Sequence, residues 1–402
     1  MAEPTNHSKQ SKGAPIRYAE LLGAAVSECP DWTYIETNAR EAAGRFHADH
    51  RTTQCSRLYL VGSGDSLFAA RSILPAFRRW TGLYIEDRTS IEFSRYEVQL
   101  LGAGDVVLAI SNSGSSSRTR ECILLAKERK IPTFGVTGSL DGPLASSVDF
   151  ILHRPVRGFP NAPEDIRRGF LHAAEYLAAM YALYMFGLEL GLIRGKINNQ
   201  QKNRWSSQLR ETISAVGTIA AGLEESVIAF VERHSTLENI WVIGAGPNRG
   251  TAEYSAAKFH EQVPINGVPQ DLEEWAHLQY FLTLDWKKKS VVVVLAPEGN
   301  IFDRAMEVLT GIENAKGTSV LVTNSSNSFK GSDWVFPVSF PIDELLTPMI
   351  FHVPCQLMTF HWARIRGVRP TPLRRRDNFW LIREGVIRSS LVDSECSPTA
   401  FS

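Results

Sequence analysis

Short apolar runs alternate along the chain with longer stretches whose apolar residues recur every three or four positions. Leu58–Val61 is the first such run. It opens into Gly62-Ser-Gly-Asp-Ser66 and then a helical pattern through Ala69, Ile73 and Phe77, which Gly82 closes. Further runs lie at Leu83–Ile85, Val106–Ile110, Pro132–Val136 and Asp149–Leu152. Residues 16–52 carry helical periodicity, whereas residues 1–15 are polar, with Gly13 and Pro15, and predict a disordered tail. Short unbroken apolar runs separated by helices predict parallel strands covered on both faces.

The pattern occurs twice. Glu164 to about Leu190 reads as one long helix, and the polar residues 195–208 lead into another that ends near Arg233. Ile240–Ile243 then starts a second series. Gly244-Ala-Gly-Pro-Asn248 repeats Gly62–Ser66 at an offset of 182, and Val291–Ala296 repeats Val106–Ser111 at 185. Val322–Ser325 repeats Val136–Ser139 at 186, and Asp333–Phe336 repeats Asp149–Leu152 at 184. Matches in order at a near-constant offset mark an internal duplication. The fold class is therefore α/β, with two tandem doubly wound parallel-sheet domains. The first is expected over 16–195 and the second over 196–367, where Thr347 to Arg366 reads as a buried helix. A tail, 368–402, carries Arg369 and Arg374, Arg375 and Arg376; this basic cluster reads equally as a solvated segment or an anion contact.

Composition narrows the function. The 402 residues hold 43 Lys+Arg and 43 Asp+Glu, a balance that argues against nucleic acid or an anionic membrane as partner. No apolar run approaches the roughly 20 residues of a membrane span, and the first residues lack the apolar segment of a signal peptide. The five cysteines form no Cys-x-x-Cys pair, so they read as thiols in a reducing, cytoplasmic compartment, and no metal site is expected.

The stretch with the clearest chemistry is 105–121. A buried strand runs into Ser111-Asn-Ser-Gly-Ser-Ser-Ser117, and helical spacing resumes at Ile123, Leu124 and Ala126. A helix start presents free N–H groups and the positive end of the helix dipole, serine hydroxyls add donors, and Gly114 allows close approach, which together favour a phosphate. One serine would be a helix cap and no more; five in seven residues go beyond that need. Gly-x-x-x-x-Gly-Lys-Ser/Thr is absent, so this is not a nucleotide P-loop. The second copy reads Ala296-Pro-Glu-Gly-Asn300, without hydroxyls and with a carboxylate, so only the first copy is expected to hold phosphate.

Gly-x-Gly-x-Ser, then Ser-x-Ser-Gly some fifty residues on, then a degenerate second copy, resembles the double sugar isomerase (SIS) domain. The likeness covers roughly 40–380 and is greatest to the isomerase half of glucosamine-6-phosphate synthases and to fructosamine-6-phosphate deglycases. The resemblance implies flavodoxin-like SIS domains, a sugar-phosphate substrate, and no metal or organic cofactor. It implies phosphate binding by Ser66, Ser111, Asn112, Ser113 and Ser116, with Asp65, where the family has Thr, facing away. It implies that Glu261, at the end of the helix after the second Gly-rich turn, is the base. Sixteen residues on, Glu274-Trp-Ala-His277 stands where the family has Glu-Leu-Lys-His, adding His277 and Glu274 to the catalytic set. Lys258 shares a helix face with Glu261, as an ion-pair partner or a group near substrate. In this family the segment with the His reaches into a neighbouring subunit, so the resemblance implies a homodimer with shared active sites. The approach, Gly267 to Leu278, reads as a loop broken by Pro264, Gly267 and Pro269, exposing Trp275 and Leu278 unless a partner covers them.

Two departures from the synthase redirect the expected reaction. No glutaminase segment with a nucleophilic Cys is present, and Pro372-Leu-Arg-Arg-Arg-Asp377 has no Lys to form a Schiff base. The expected function is therefore a phosphosugar isomerase or ketosamine-6-phosphate deaminase/deglycase, without glutaminase activity, working through an enediol or enaminol. The alternative is a non-catalytic sugar-phosphate-binding regulator. The Glu261/His277 pair speaks for the enzyme, and the lack of a basic helix-turn-helix before residue 40 speaks against a transcription regulator.

Overall fold

Among the residues that the computed structural model describes (17–326, 331–370 and 383–389), ten strands form two five-stranded parallel sheets. In the first, β1 (Arg57–Gly62), β2 (Tyr84–Thr89), β3 (Asp105–Ile110), β4 (Thr133–Thr137) and β5 (Phe150–His153) lie in the order β2-β1-β3-β4-β5. In the second, β6 (Asn239–Gly244), β7 (Asn266–Asp271), β8 (Val291–Leu295), β9 (Thr318–Thr323) and β10 (Trp334–Pro337) take the equivalent order β7-β6-β8-β9-β10. The register corresponds too. Leu58 pairs with Ile85 on one side and Val106 on the other, as Ile240 pairs with Gly267 and Val291. The duplication read from sequence offsets is thus a duplication of topology. Every residue of β3, β8 and β9 is buried, as unbroken apolar runs require when both faces are covered.

The longer helices are α1 (Tyr18–Glu28), α2 (Trp32–Ala48), α3 (Asp65–Thr81), α4 (Ser117–Glu128), α5 (Glu164–Ile193), α6 (Asn199–Arg233), α7 (Asn248–Gln262), α8 (Phe302–Asn314) and α9 (Val353–Ile365). The polar residues before Arg233 belong to α6 itself, which starts at Asn199 behind a capping box formed by Asn198 and Gln201. α5 packs on α2 and α3, and α6 on α1 and α9, so one apolar cluster runs continuously through both domains. Two smaller clusters lie under the outer faces of the sheets.

Several expectations need correcting. The segment from Gly267 is no loop: it forms β7, an edge strand whose outer side tolerates Pro269 because no further strand needs its N–H. Trp275 is not exposed; it inserts into the cluster beneath β6 and β8. Leu278 is exposed as expected. The expected lack of membrane-length apolar segments does not hold for α5 and α6, which are long and apolar enough to cross a bilayer. The most apolar window of α5 is 89% buried inside the protein, which makes it a core helix. The tail at 1–15 and the arginines at 374–376 lie outside the described residues.

Candidate active site

The strand order reverses between β1 and β3, so the chain leaves their C-terminal ends in opposite directions and opens a crevice there. Two helices start at its rim, α3 at Asp65 and α4 at Ser117. The residues from 111 to 116 are tied down through their backbone. Gly114 N–H donates to the Ser111 carbonyl (3.2 Å), Leu144 N–H to the Gly114 carbonyl (2.9 Å), and Gly138 N–H to the Asn112 carbonyl (2.9 Å). Gly114 takes φ +67°, and a Cβ there would come within 3.3 Å of Gly142 Cα. Ser116 stands at the N-cap of α4, yet its side chain makes no capping hydrogen bond. The Ser113 and Ser115 hydroxyls lie 2.6 Å apart. Ser116, the residue in the cap position, therefore does not cap α4 with its hydroxyl.

A cleft of about 500 Å³ opens here, and Ser66, Ser111, Asn112, Ser113 and Ser116 all line it. At the corresponding place in the second domain, internal partners occupy the donors. Asn300 gives its N–H and side-chain amide to Glu344 (2.9 and 2.6 Å), and Glu298 N–H goes to Asn324 (2.8 Å).

Glu261 reaches the same cleft from the other domain. The helices that follow the two Gly-rich turns, α3 and α7, pack directly on each other. Gly250 allows this: a Cβ there would sit 2.3 Å from the Phe68 carbonyl. Around the contact, Arg71 bridges Asp87 (2.6 Å) and Glu253 (2.7 Å), and the rings of Tyr176 and Tyr254 stack at 3.7 Å. This joint brings the C-terminal end of α7 to the N-terminal end of α3. Lys258, buried, donates to Asp65 Oδ2 (2.7 Å) and to Glu261 Oε2 (2.5 Å), and its ammonium lies over the Tyr254 ring. Burial opposes its charge, but the two carboxylates outweigh that and hold it above the usual lysine value. Burial pushes the Asp65 carboxyl up to about 6 against the pull of Lys258. Asp65 therefore faces the cleft, contrary to expectation, because it shares the lysine with Glu261.

The wall between the serines and Glu261 comes from α5, whose Arg168, His172 and Glu175 face the cleft. Arg168 forks onto Glu175 (2.7 and 2.9 Å). His172 Nδ1 lies 3.8 Å from Glu261 Oε2. Burial, and then the charge of Lys258, hold this imidazole well below its ordinary pKa, so it is neutral. Sequence reasoning missed these three. Their signal was a polar stripe at positions i, i+4 and i+7 running into the apolar middle of the helix. Arg383 and Ile387 close one side of the cleft, and Ser117 Oγ donates to the Ser389 carbonyl (2.8 Å), seating that short segment on the loop.

His277 and Glu274 do not join this cleft within the chain. They lie exposed on the helical turns after β7, with His277 Nε2 3.3 Å from Glu273, which also holds Arg304. Leu278, Phe281, Leu282 and Leu284 are exposed beside them.

Residues 52–158 match the family described as the SIS domain. The chain is 23% identical over 293 residues to a glutamine--fructose-6-phosphate aminotransferase (isomerizing) of Rhizobium meliloti, covering 72% of this chain and 46% of that protein. It spans about half the length of the curated relatives it matches. Among solved structures, the C-terminal domain of glucosamine-fructose-6-phosphate aminotransferase from Francisella tularensis superimposes with a TM-score of 0.70 at 17% identity, covering 89% of this chain and 98% of that one. Glucosamine-6-phosphate deaminase from Thermotoga maritima does so with a TM-score of 0.59 at 18% identity, over 85% and 96%. The whole fold is thus shared with these structures: the matched segment contains β1 to β5, and the second sheet repeats their order.

Proposed function

We propose that this SIS protein is an enzyme that takes a 6-phosphorylated ketose or amino sugar through an enediol or enaminol, as an isomerase or as a deaminase/deglycase. One arrangement carries the reading: a serine-rich, phosphate-type loop and the Glu261 carboxylate open into one cleft, although they come from different domains. The loop and the two helix starts hold the phosphate, and that binding energy orients the reacting carbons. Glu261 takes the proton from the carbon beside the carbonyl or imine and returns it to the neighbouring carbon. Lys258 holds the carboxylate in place and supplies positive charge to oppose the charge developing on the substrate oxygen. His277, with Glu274 beside it, reaches the cleft of a second subunit in a homodimer and there assists opening of the sugar ring, the step before enolisation. Their exposure, and the bare apolar side chains around them, support this assignment.

The test is a turnover screen of 6-phosphorylated ketoses, amino sugars and fructosamines, following released ammonia or amine alongside isomerisation. Glu261→Gln should still bind the best substrate but turn over at least about a hundredfold more slowly, because an amide does not accept the carbon-bound proton. Binding without turnover in the parent protein would favour a sugar-phosphate-binding regulator.

A further inference from the structure

We propose that His172 is a catalytic residue that moves the oxygen-bound protons while Glu261 moves the carbon-bound one, so that one chain brings both proton carriers to its cleft; this rests on the sugar-phosphate reading above. Three observations carry it. His172 Nδ1 and Glu261 Oε2 are 3.8 Å apart, too far for a hydrogen bond to each other and close enough to meet two bonded atoms of one substrate. Nδ1 is buried and finds no hydrogen-bond partner among the described residues. Lys258, which holds Glu261, is engaged with its two carboxylates, and Arg168 on the same wall is engaged with Glu175. A buried polar atom without a partner is costly and calls for an explanation. A substrate oxygen against Nδ1 supplies one.

A neutral imidazole has both an N–H to give and a lone pair to receive, so it can polarise a carbonyl without first being charged. In the isomerisation, Glu261 accepts the proton from the carbon beside the carbonyl. That C–H electron pair becomes the carbon–carbon double bond, and the carbonyl π pair moves onto its oxygen. The oxygen takes the proton of the His172 N–H. The neighbouring hydroxyl then returns a proton to the imidazole as its own C=O forms, and Glu261 delivers its proton to the former carbonyl carbon. Both groups end as they began, and no co-reactant is consumed.

The experiment compares the full chain with His172→Gln and Glu261→Gln, using fructose 6-phosphate and glucosamine 6-phosphate in deuterated water. Calorimetry reads binding, NMR reads deuterium entering at the carbon beside the carbonyl, and product formation reads the complete reaction. Thermal melting establishes that each variant is folded, and His172→Asn serves where His172→Gln is not. The folded His172 variant should bind within about threefold of the parent and keep a slowed deuterium wash-in, because Glu261 is intact, yet form product at least about a hundredfold more slowly. Glu261→Gln should lose both wash-in and product. Product at the parent rate from a folded His172 variant, or loss of binding in that variant alone, overturns the role of His172 and leaves the proposed function standing. A parent that neither exchanges nor converts either sugar phosphate overturns both. The ¹⁵N resonances of the His172 ring provide a readout that needs no active variant: they should shift when fructose 6-phosphate binds, and resonances that stay in place count against contact.

Discussion

Ser113 shows how a single position can hold the grip of this protein on its ligand. Its hydroxyl sits in a cleft lined by other donors, on a backbone tied down at Ser111, Asn112 and Gly114. A carboxylate there would face the ligand phosphate, and like charges at that range cost several kcal/mol. Ser113→Asp should therefore weaken binding of fructose 6-phosphate by more than about a hundredfold in calorimetry, and unchanged affinity would show that the phosphate lies elsewhere. The serines were legible because a dense run of one residue type at a strand-to-helix turn has few other uses. Asp65 was misread, since its environment is set by Lys258, which lies 193 residues away in sequence. His172 was missed because one histidine in a buried helix usually packs, and only its distance to Glu261 gives it meaning.

At the scale of elements, the repeated strand–turn–helix unit was legible twice over, down to the order of the sheet. The unit after the second turn was not. Pro264, Gly267 and Pro269 argued for a loop, and an edge strand forms because only its inner side pairs, with β6. The turns that follow carry His277 on the outside of the molecule, and this suggests a complementation test. Glu261→Gln and His277→Ala homodimers should each be nearly inactive. After subunit exchange, mixed dimers would hold one site with both substitutions and one with neither. With random exchange, half the dimers are mixed and each has one intact site, so activity should recover towards about one quarter of the parent. Absence of recovery, with exchange verified by mass, would place every catalytic group within one chain.

Across the whole molecule, burial of titratable groups ties stability to pH. Burial holds His352 and His361 near pKa 4, and His172 also lies low. The unfolded chain takes up protons at these rings from about pH 6.5 downward and the folded one does not, so stability falls as pH drops from 7 towards 4, on the order of 3 kcal/mol for each ring held near 4. Asp65, raised to about 6, works the other way over roughly pH 6 to 4 but is one group against three. The melting temperature should thus be lower at pH 5 than at pH 7, and His352→Gln should show a shallower slope whatever its absolute stability. An equal slope in the variant would mean that His352 does not report this transition. The buried ammonium of Lys258 gives the joint between the domains a further property. It belongs to one domain, and its two carboxylates come one from each, so one of the contacts that join the halves also holds the base in position. Acid that neutralises Asp65 loosens this latch and frees Lys258 for Glu261 alone. Cohesion across the joint and the setting of the base therefore answer to the same proton.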